Sequence, residues 1–216
     1  MQALTRHDDF LWHTLRINEL LDADRYQEIP TVPVTFAPMP HDIVWGSAPL
    51  HLYRWAAPGN GTYTRDDSFF IATGGLGLAL SAGVALGRAA GNNARRRQAQ
   101  FDSVPRWMPI DQGAIYVSNL GFYLAVPGGL HTWTWESVSS MQLVHPAQVT
   151  ITGTSDNGPI HWLMATDAAE LLFTLWARVR HPAHPQYSTR SWLPQGWFER
   201  VQAAGRPLPS ITQRGS

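Results

Sequence analysis

Residues Gly158–Arg180 read GPIHWLMATDAAELLFTLWARVR, and the period of their apolar residues changes half-way along. Ile160, Trp162 and Met164 alternate, the spacing of a strand with one buried face. Leu172, Phe173, Leu175, Trp176 and Val179 then recur at helical spacing. Between them Asp167-Ala168-Ala169-Glu170 has the D-x-x-E form of a capping box, which predicts a helix over 167–180, stopped by Pro182. A helix with so wide an apolar face must pack on something. The expected support is the open end of a β-barrel or sandwich built from the residues before it.

Working back along the chain, Ala114–Asn119 and Gly121–Val126 read as short strands, with Pro127-Gly128-Gly129 as a turn. Trp133 and Trp135 alternate with threonines, so their rings are expected on one side. Met141 and Leu143, then Val149 and Ile151, continue the alternation, and Asp156-Asn157-Gly158 has hairpin-turn chemistry. Strands at this spacing, joined by Gly/Pro/Asn turns, predict an α+β domain with an antiparallel barrel or sandwich.

This order of elements resembles the pleckstrin-homology (PH) superfold. Residues Gly113–Leu124 (GAIYVSNLGFYL) are similar to the G-x-L-x-x-T-x-x-R-L-x-F opening of GRAM-type domains. Trp133, Trp135 and Val138 are similar to the strand in which such domains carry I-P-x-x-x-I. The chain also resembles uncharacterised PH-like proteins of actinobacteria, in which a Gly/Ala-rich, Arg-ended segment precedes a Trp-started β domain. The resemblance covers residues 101–181. It implies antiparallel strands closed by a C-terminal helix, and a binding or scaffolding role. Two departures matter. Gly121 stands where GRAM-type domains often place Arg, and the turn Asn119-Leu120-Gly121 lacks the basic residues with which lipid-binding PH domains hold phosphates. No phosphoinositide-binding residue is carried over.

Outside that domain the sequence divides into 1–67, 68–100 and 182–216. The first part predicts an amphipathic helix from Asp8 to about Arg25, capped by Asp8 or Asp9. An extended, proline-studded segment Ile29–Pro40 follows, then a β-like run Asp42–Trp55 broken near Gly46, a turn over 57–61 and a second β-like run ending near Ile71. The tail after His181 is Pro-rich, with a short helix expected around Trp197–Ala203. Trp192 and Trp197 lie in it; each ring needs a surface, either this domain's own or a partner's, and they are the candidate partner anchors.

Residues 68–87 carry no charge between Asp67 and Arg88. The length suits a bilayer, which takes about 20 residues. The strongly apolar residues contribute only about −2 to −5 kcal/mol toward insertion, and the rest are Gly, Ala, Ser and Thr. Gly75, Ala79, Gly83, Gly87 and Gly91 recur every fourth residue. On a helix they form one bare stripe, a glycine zipper along which another backbone packs closely. Two readings stay open, a docked helix and a span with Arg88 and Arg95–Arg97 on the cytoplasmic side.

Composition narrows the chemistry. The net charge is zero and charged residues are only 15% of the chain, so there is no basic footprint for nucleic acid. Apolar residues, at 44%, suffice for a sizeable core. With no cysteine and no lysine, thiolate, Fe–S, Cys-zinc and Schiff-base chemistry are unavailable. The N-terminus has no apolar run of a signal peptide. His131, His145, His161, His181 and His184 invite a zinc site, but Pro182 keeps His181 and His184 off a common helical face; they are expected to cap the helix end instead. No G-x-S-x-G elbow and no dinucleotide fingerprint is present. The expectation is a non-catalytic module with no catalytic or metal residue, no cofactor and no identifiable small-molecule ligand. Its expected place is the cytoplasm or the cytoplasmic face of a membrane, and its expected partner a protein or a second copy. The rival readings are a membrane-anchored subunit assembling through the zipper and, remotely, a hydrolase.

Overall fold

The structure is a computed structural model that describes residues 4–57, 97 and 103–209. The stripe Gly75, Ala79, Gly83, Gly87 and Gly91, the turn over 57–61 and the run ending near Ile71 lie outside the described residues. The chain divides into two compact units, one of residues 1–54 and 109–216 and one of residues 55–108. In the second, the rings of Trp55 and Trp107 meet edge to face at 5.2 Å.

Seven strands form one antiparallel sheet: β1 (Val44–Ala56), β2 (Arg106–Ser118), β3 (Gly121–Val126), β4 (Gly129–Thr134), β5 (Val138–His145), β6 (Gln148–Ser155) and β7 (Gly158–Ala165). Their order is β4-β3-β2-β1-β7-β6-β5. The strands of the 107–164 region are where alternation placed them. The central strand is not: β1 comes from ahead of the Gly/Ala-rich segment, pairing His51–Arg54 with Trp162–Ala165 of β7. β1 and β2 are thus adjacent in the sheet although 49 residues separate them in the chain.

Two local rules explain why β1 was read as interrupted. Gly46 does not break the strand; a Cβ there would stand 2.6 Å from Leu171 Cδ2 and 3.2 Å from Phe10 Cζ, so the glycine admits side chains of two helices. Pro49 is tolerated because β7 ends at Ala165 opposite His51, leaving no β7 partner at Pro49. Gly121 also has a local cause. A Cβ at that position would run into the backbone carbonyl of Trp133 across the β3–β4 ladder, so no side chain fits there.

Helix α1 (Arg6–Asp22) begins two residues before the expected start. Its cap is Thr5, not Asp8 or Asp9: Asp8 N–H donates to Thr5 Oγ1 at 3.1 Å and Thr5 N–H to Asp8 Oδ2 at 3.0 Å. Helix α2 (Ala169–Arg180) crosses β5 and β6. The capping box expected at its start is absent, because Glu170 is turned toward α1 and the β5–β6 turn, and Asp167 toward Arg6. Phe173 and Trp176 are buried as the spacing requires, and so is every residue from Ala169 to Ala177. The helix is encased rather than half-exposed, since α1 packs on its outer side.

The tail supplies the remaining cover through α3 (Pro185–Ser188) and α4 (Trp197–Ala203). Tyr187, Trp192, Trp197 and Val201 join the same apolar core as Leu11, Leu15 and Leu20 of α1 and Leu50, Ile115, Phe122 and Ile151 of the sheet. Of the two surfaces expected for Trp192 and Trp197, the one they cover here is the chain's own. Trp197 is 0% exposed, with its Nε1 donating to Asp8 O at 3.3 Å, and Trp192 is 6% exposed. Their rings cover the chain's own core, where burying a large aromatic yields more than leaving it on a polar tail.

Candidate functional site

Three of the ten exposed large hydrophobics among the described residues, Tyr26, Ile43 and Val179, rim one pocket of about 450 Å³. Its walls come from four places: Leu21 at the end of α1, Trp45 at the start of β1, Trp135 after β4, and Leu175 and Arg178 on α2. The volume falls in the range of small-molecule sites, about 300–1,000 Å³.

Short polar contacts hold these walls. Trp135 Nε1 donates to Asn119 O at 2.9 Å, fixing the indole under the β2–β3 turn. Asn119 Oδ1 accepts Ile43 N–H at 2.6 Å, and its Nδ2 donates to His41 O at 3.3 Å. Asp42 accepts Leu120 N–H at 3.3 Å and also accepts a hydrogen bond from the Tyr123 hydroxyl. Tyr123 in turn accepts Met39 N–H at 2.9 Å. Burial and the Asp42 carboxylate push the Tyr123 phenol up to about 12, so it stays protonated as the donor. Phe36 lies against both Tyr116 and Tyr123, with ring centres 5.1 and 4.8 Å apart, and the segment 36–43 is thereby strapped across β2 and β3. Opposite, Arg178 Nη2 donates to Leu21 O at 2.8 Å while Nη1 pairs with Asp22. The guanidinium joins the ends of α1 and α2 and leaves further N–H donors beside the pocket.

The lining therefore offers apolar surface, two indoles and a phenol, with an amide and a guanidinium at the edge. It contains no imidazole, carboxylate or aliphatic hydroxyl to move a proton or attack a bond. Such a lining can hold an apolar body.

A second depression, of about 290 Å³, brings His145, Glu170 and Ser191 to one wall. The residue types are those of a hydrolytic triad, but the bonds are not. Glu170 Oε2 lies 3.0 Å from His7 Nε2, and its Oε1 accepts Ala147 N–H at 2.9 Å. The His145 Nδ1 lies 3.1 Å from Pro146 O. The acid orients His7 on α1 instead of an imidazole in the depression, and it works as a clamp between α1, α2 and the β5–β6 turn. Burial opposes a charge on His7, but the bond to Glu170, and the fields of Glu170, Asp167 and Asp8, outweigh it and hold His7 above its ordinary value.

Among the described residues no three of His, Asp and Glu come together as a metal would require. His181 ends α2, and its carbonyl accepts His184 N–H at 2.8 Å. No helix among the described residues is long and apolar enough to cross a membrane.

No protein-family model, no curated protein and no solved structure matches the chain. The pocket was not anticipated from the sequence. Its residues are spread from Leu21 to Val179, and the one available signal was the surplus of aromatic residues, which was assigned to core or to partner anchoring.

Proposed function

We propose that this chain is a non-catalytic binding or scaffolding module built on a PH-like domain, with its ligand seat in the 450 Å³ pocket between the ends of α1 and α2 and the β2–β3 turn. Seven antiparallel strands followed by one packed helix support the PH-like part. The observation that carries the binding role is the convergence of Tyr26, Ile43 and Val179 on that pocket, since exposed apolar residues gathered in a concavity mark interaction sites. The ligand class is an apolar or aromatic group, carried by a protein partner or a small molecule.

Titration with 1-anilinonaphthalene-8-sulfonate tests this. Saturable binding at one site is expected, weakened at least about tenfold by Val179→Glu or Ile43→Glu, which place a charge on the apolar rim. Binding that never saturates, or that ignores both substitutions, overturns the reading. The rival reading, a membrane-anchored subunit assembling through Gly75, Ala79, Gly83, Gly87 and Gly91, rests on the sequence stripe alone. The hydrolase reading is left with the depression beside His145, whose acid serves another histidine.

A further inference from the structure

The outer edge of β5 ends the sheet, and no strand among the described residues pairs with it. A side chain does. Gln186 Oε1 accepts Leu143 N–H at 3.1 Å, and Gln186 Nε2 donates to Leu143 O at 2.7 Å. These are the two bonds that a neighbouring strand residue would supply. Gln186 sits in the first turn of α3, beside the buried Tyr187, and His184 caps that turn. The Gln186 N–H donates to His184 Nδ1 at 3.2 Å, the N-cap of α3. A nitrogen that accepts must carry a lone pair, so this cap exists only while Nδ1 is unprotonated. Protonation would aim an N–H at an N–H.

The surroundings make that protonation disruptive rather than neutral. The His184 ring, partly buried, stands edge-on to Phe173 at 5.1 Å and to Trp176 at 6.0 Å. His181 lies on the other side of Trp176, 4.8 Å away. The charged groups on the surrounding elements are Arg178, Arg180 and His181 at the end of α2, His145 on β5, Glu136 in the turn before β5 and Arg190 after α3. Glu170, at the start of α2, spends its oxygens on His7 and Ala147 N–H. Among the described residues no carboxylate pairs with His184. Burial and the neighbouring His181 accordingly hold its basicity below the ordinary value of 6.5.

We propose that the turn from α2 to α3 is an acid-weakened latch: neutral His184 caps the turn that holds Gln186 on the edge of β5, and protonation of its imidazole loosens that hold. What it uncovers is the backbone of Leu143, an unpaired strand edge of the kind that accepts another strand, and the ring of Trp192 beside the depression. At the opposite end of α2, the His7–Glu170 clamp responds in the other sense, because a protonated His7 is the better partner for Glu170. Acid thus opens one end of the helix while the other stays closed.

Hydrogen exchange read by mass spectrometry at pH 7.5 and 5.5, corrected for intrinsic exchange rates, tests this on the full chain. Peptides covering 138–146 and 182–193 are expected to open about fivefold more in acid, the equivalent of one lost N-cap, with 6–22 unchanged. His184→Asn keeps an acceptor that does not titrate and should stay closed at both pH values; His184→Ser serves the same purpose if the Asn variant does not fold. Gln186→Ala should open 138–146 at pH 7.5 without acid. Equal protection of the wild type at both pH values, or acid opening of the Asn or Ser variant equal to the wild type's, overturns the latch.

Discussion

At the scale of single residues, two kinds of constraint operate, volume and proton. Trp176 is 1% exposed under α2, with Nε1 donating to Val138 O at 3.2 Å. Trp176→Ala leaves a cavity and an unpaired carbonyl, so a loss of about 3–5 kcal/mol in chemical denaturation is expected. Gly46 and Gly121 should differ in kind. At Gly46 a methyl meets the ends of the buried Leu171 and Phe10 side chains, which can give slightly; Gly46→Ala should cost about 1–3 kcal/mol and keep the fold. At Gly121 it meets backbone, and Gly121→Ala should disturb the β3–β4 pairing itself, visible as lost exchange protection over 121–134. His7 sets a pH dependence. Its folded value lies above the unfolded 6.5, so its contribution to stability is complete below about 6.5 and is lost as pH rises through the raised value. His184, depressed, behaves oppositely and loses its contribution as pH falls below 6.5. His7→Gln should flatten the fall in stability on the alkaline side, and His184→Asn the fall on the acid side. Melting curves between pH 5 and 8.5 would check both, and a fall unchanged by its own substitution would contradict the assignment.

At the scale of elements, α1 shows how little of a helix's role lies in its own sequence. Its caps and spacing make it a helix, but its place depends on α2. Asn18 Nδ2 donates to Thr174 Oγ1 at 3.1 Å, Arg178 binds Asp22 and Leu21 O, and Arg200 pairs with Asp8 at 2.8 Å. Thr5→Ala removes the cap and should cost about 1 kcal/mol. The zipper stripe remains a prediction about an element outside the described residues. Gly83→Leu should disrupt assembly or cause aggregation, and Leu78→Ala should do less. If light scattering and vesicle flotation find Gly83→Leu identical to the wild type, the regular spacing has no packing role.

At the scale of the molecule, the β domain does not end at residue 181. A truncation after His181 would expose the core that Tyr187, Trp192, Trp197 and Val201 cover, and it should lose near-UV ellipticity and aggregate. A truncated chain that melts cooperatively near the full-length temperature would show the tail to be dispensable. Chelation is expected to leave the melting temperature unchanged, and a drop of several degrees in EDTA would point to a metal that the histidines hold.

Alternation in 107–164 and the change of period near Thr166 were enough, by themselves, to determine the strands, the turns at Pro127–Gly129 and Asp156–Gly158, and the helix carrying Phe173 and Trp176, because these follow from which neighbours along the chain share a face. Three things were decided only in three dimensions. β1 became the central strand because its partners β2 and β7 lie far along the chain, and local pattern says nothing of pairing across such distance. Glu170 became a clamp and not a cap because His7, distant in sequence, offers a stronger bond than the helix's own amides. The pocket exists only where the ends of α1 and α2 and the β2–β3 turn converge, so no window of sequence contains it.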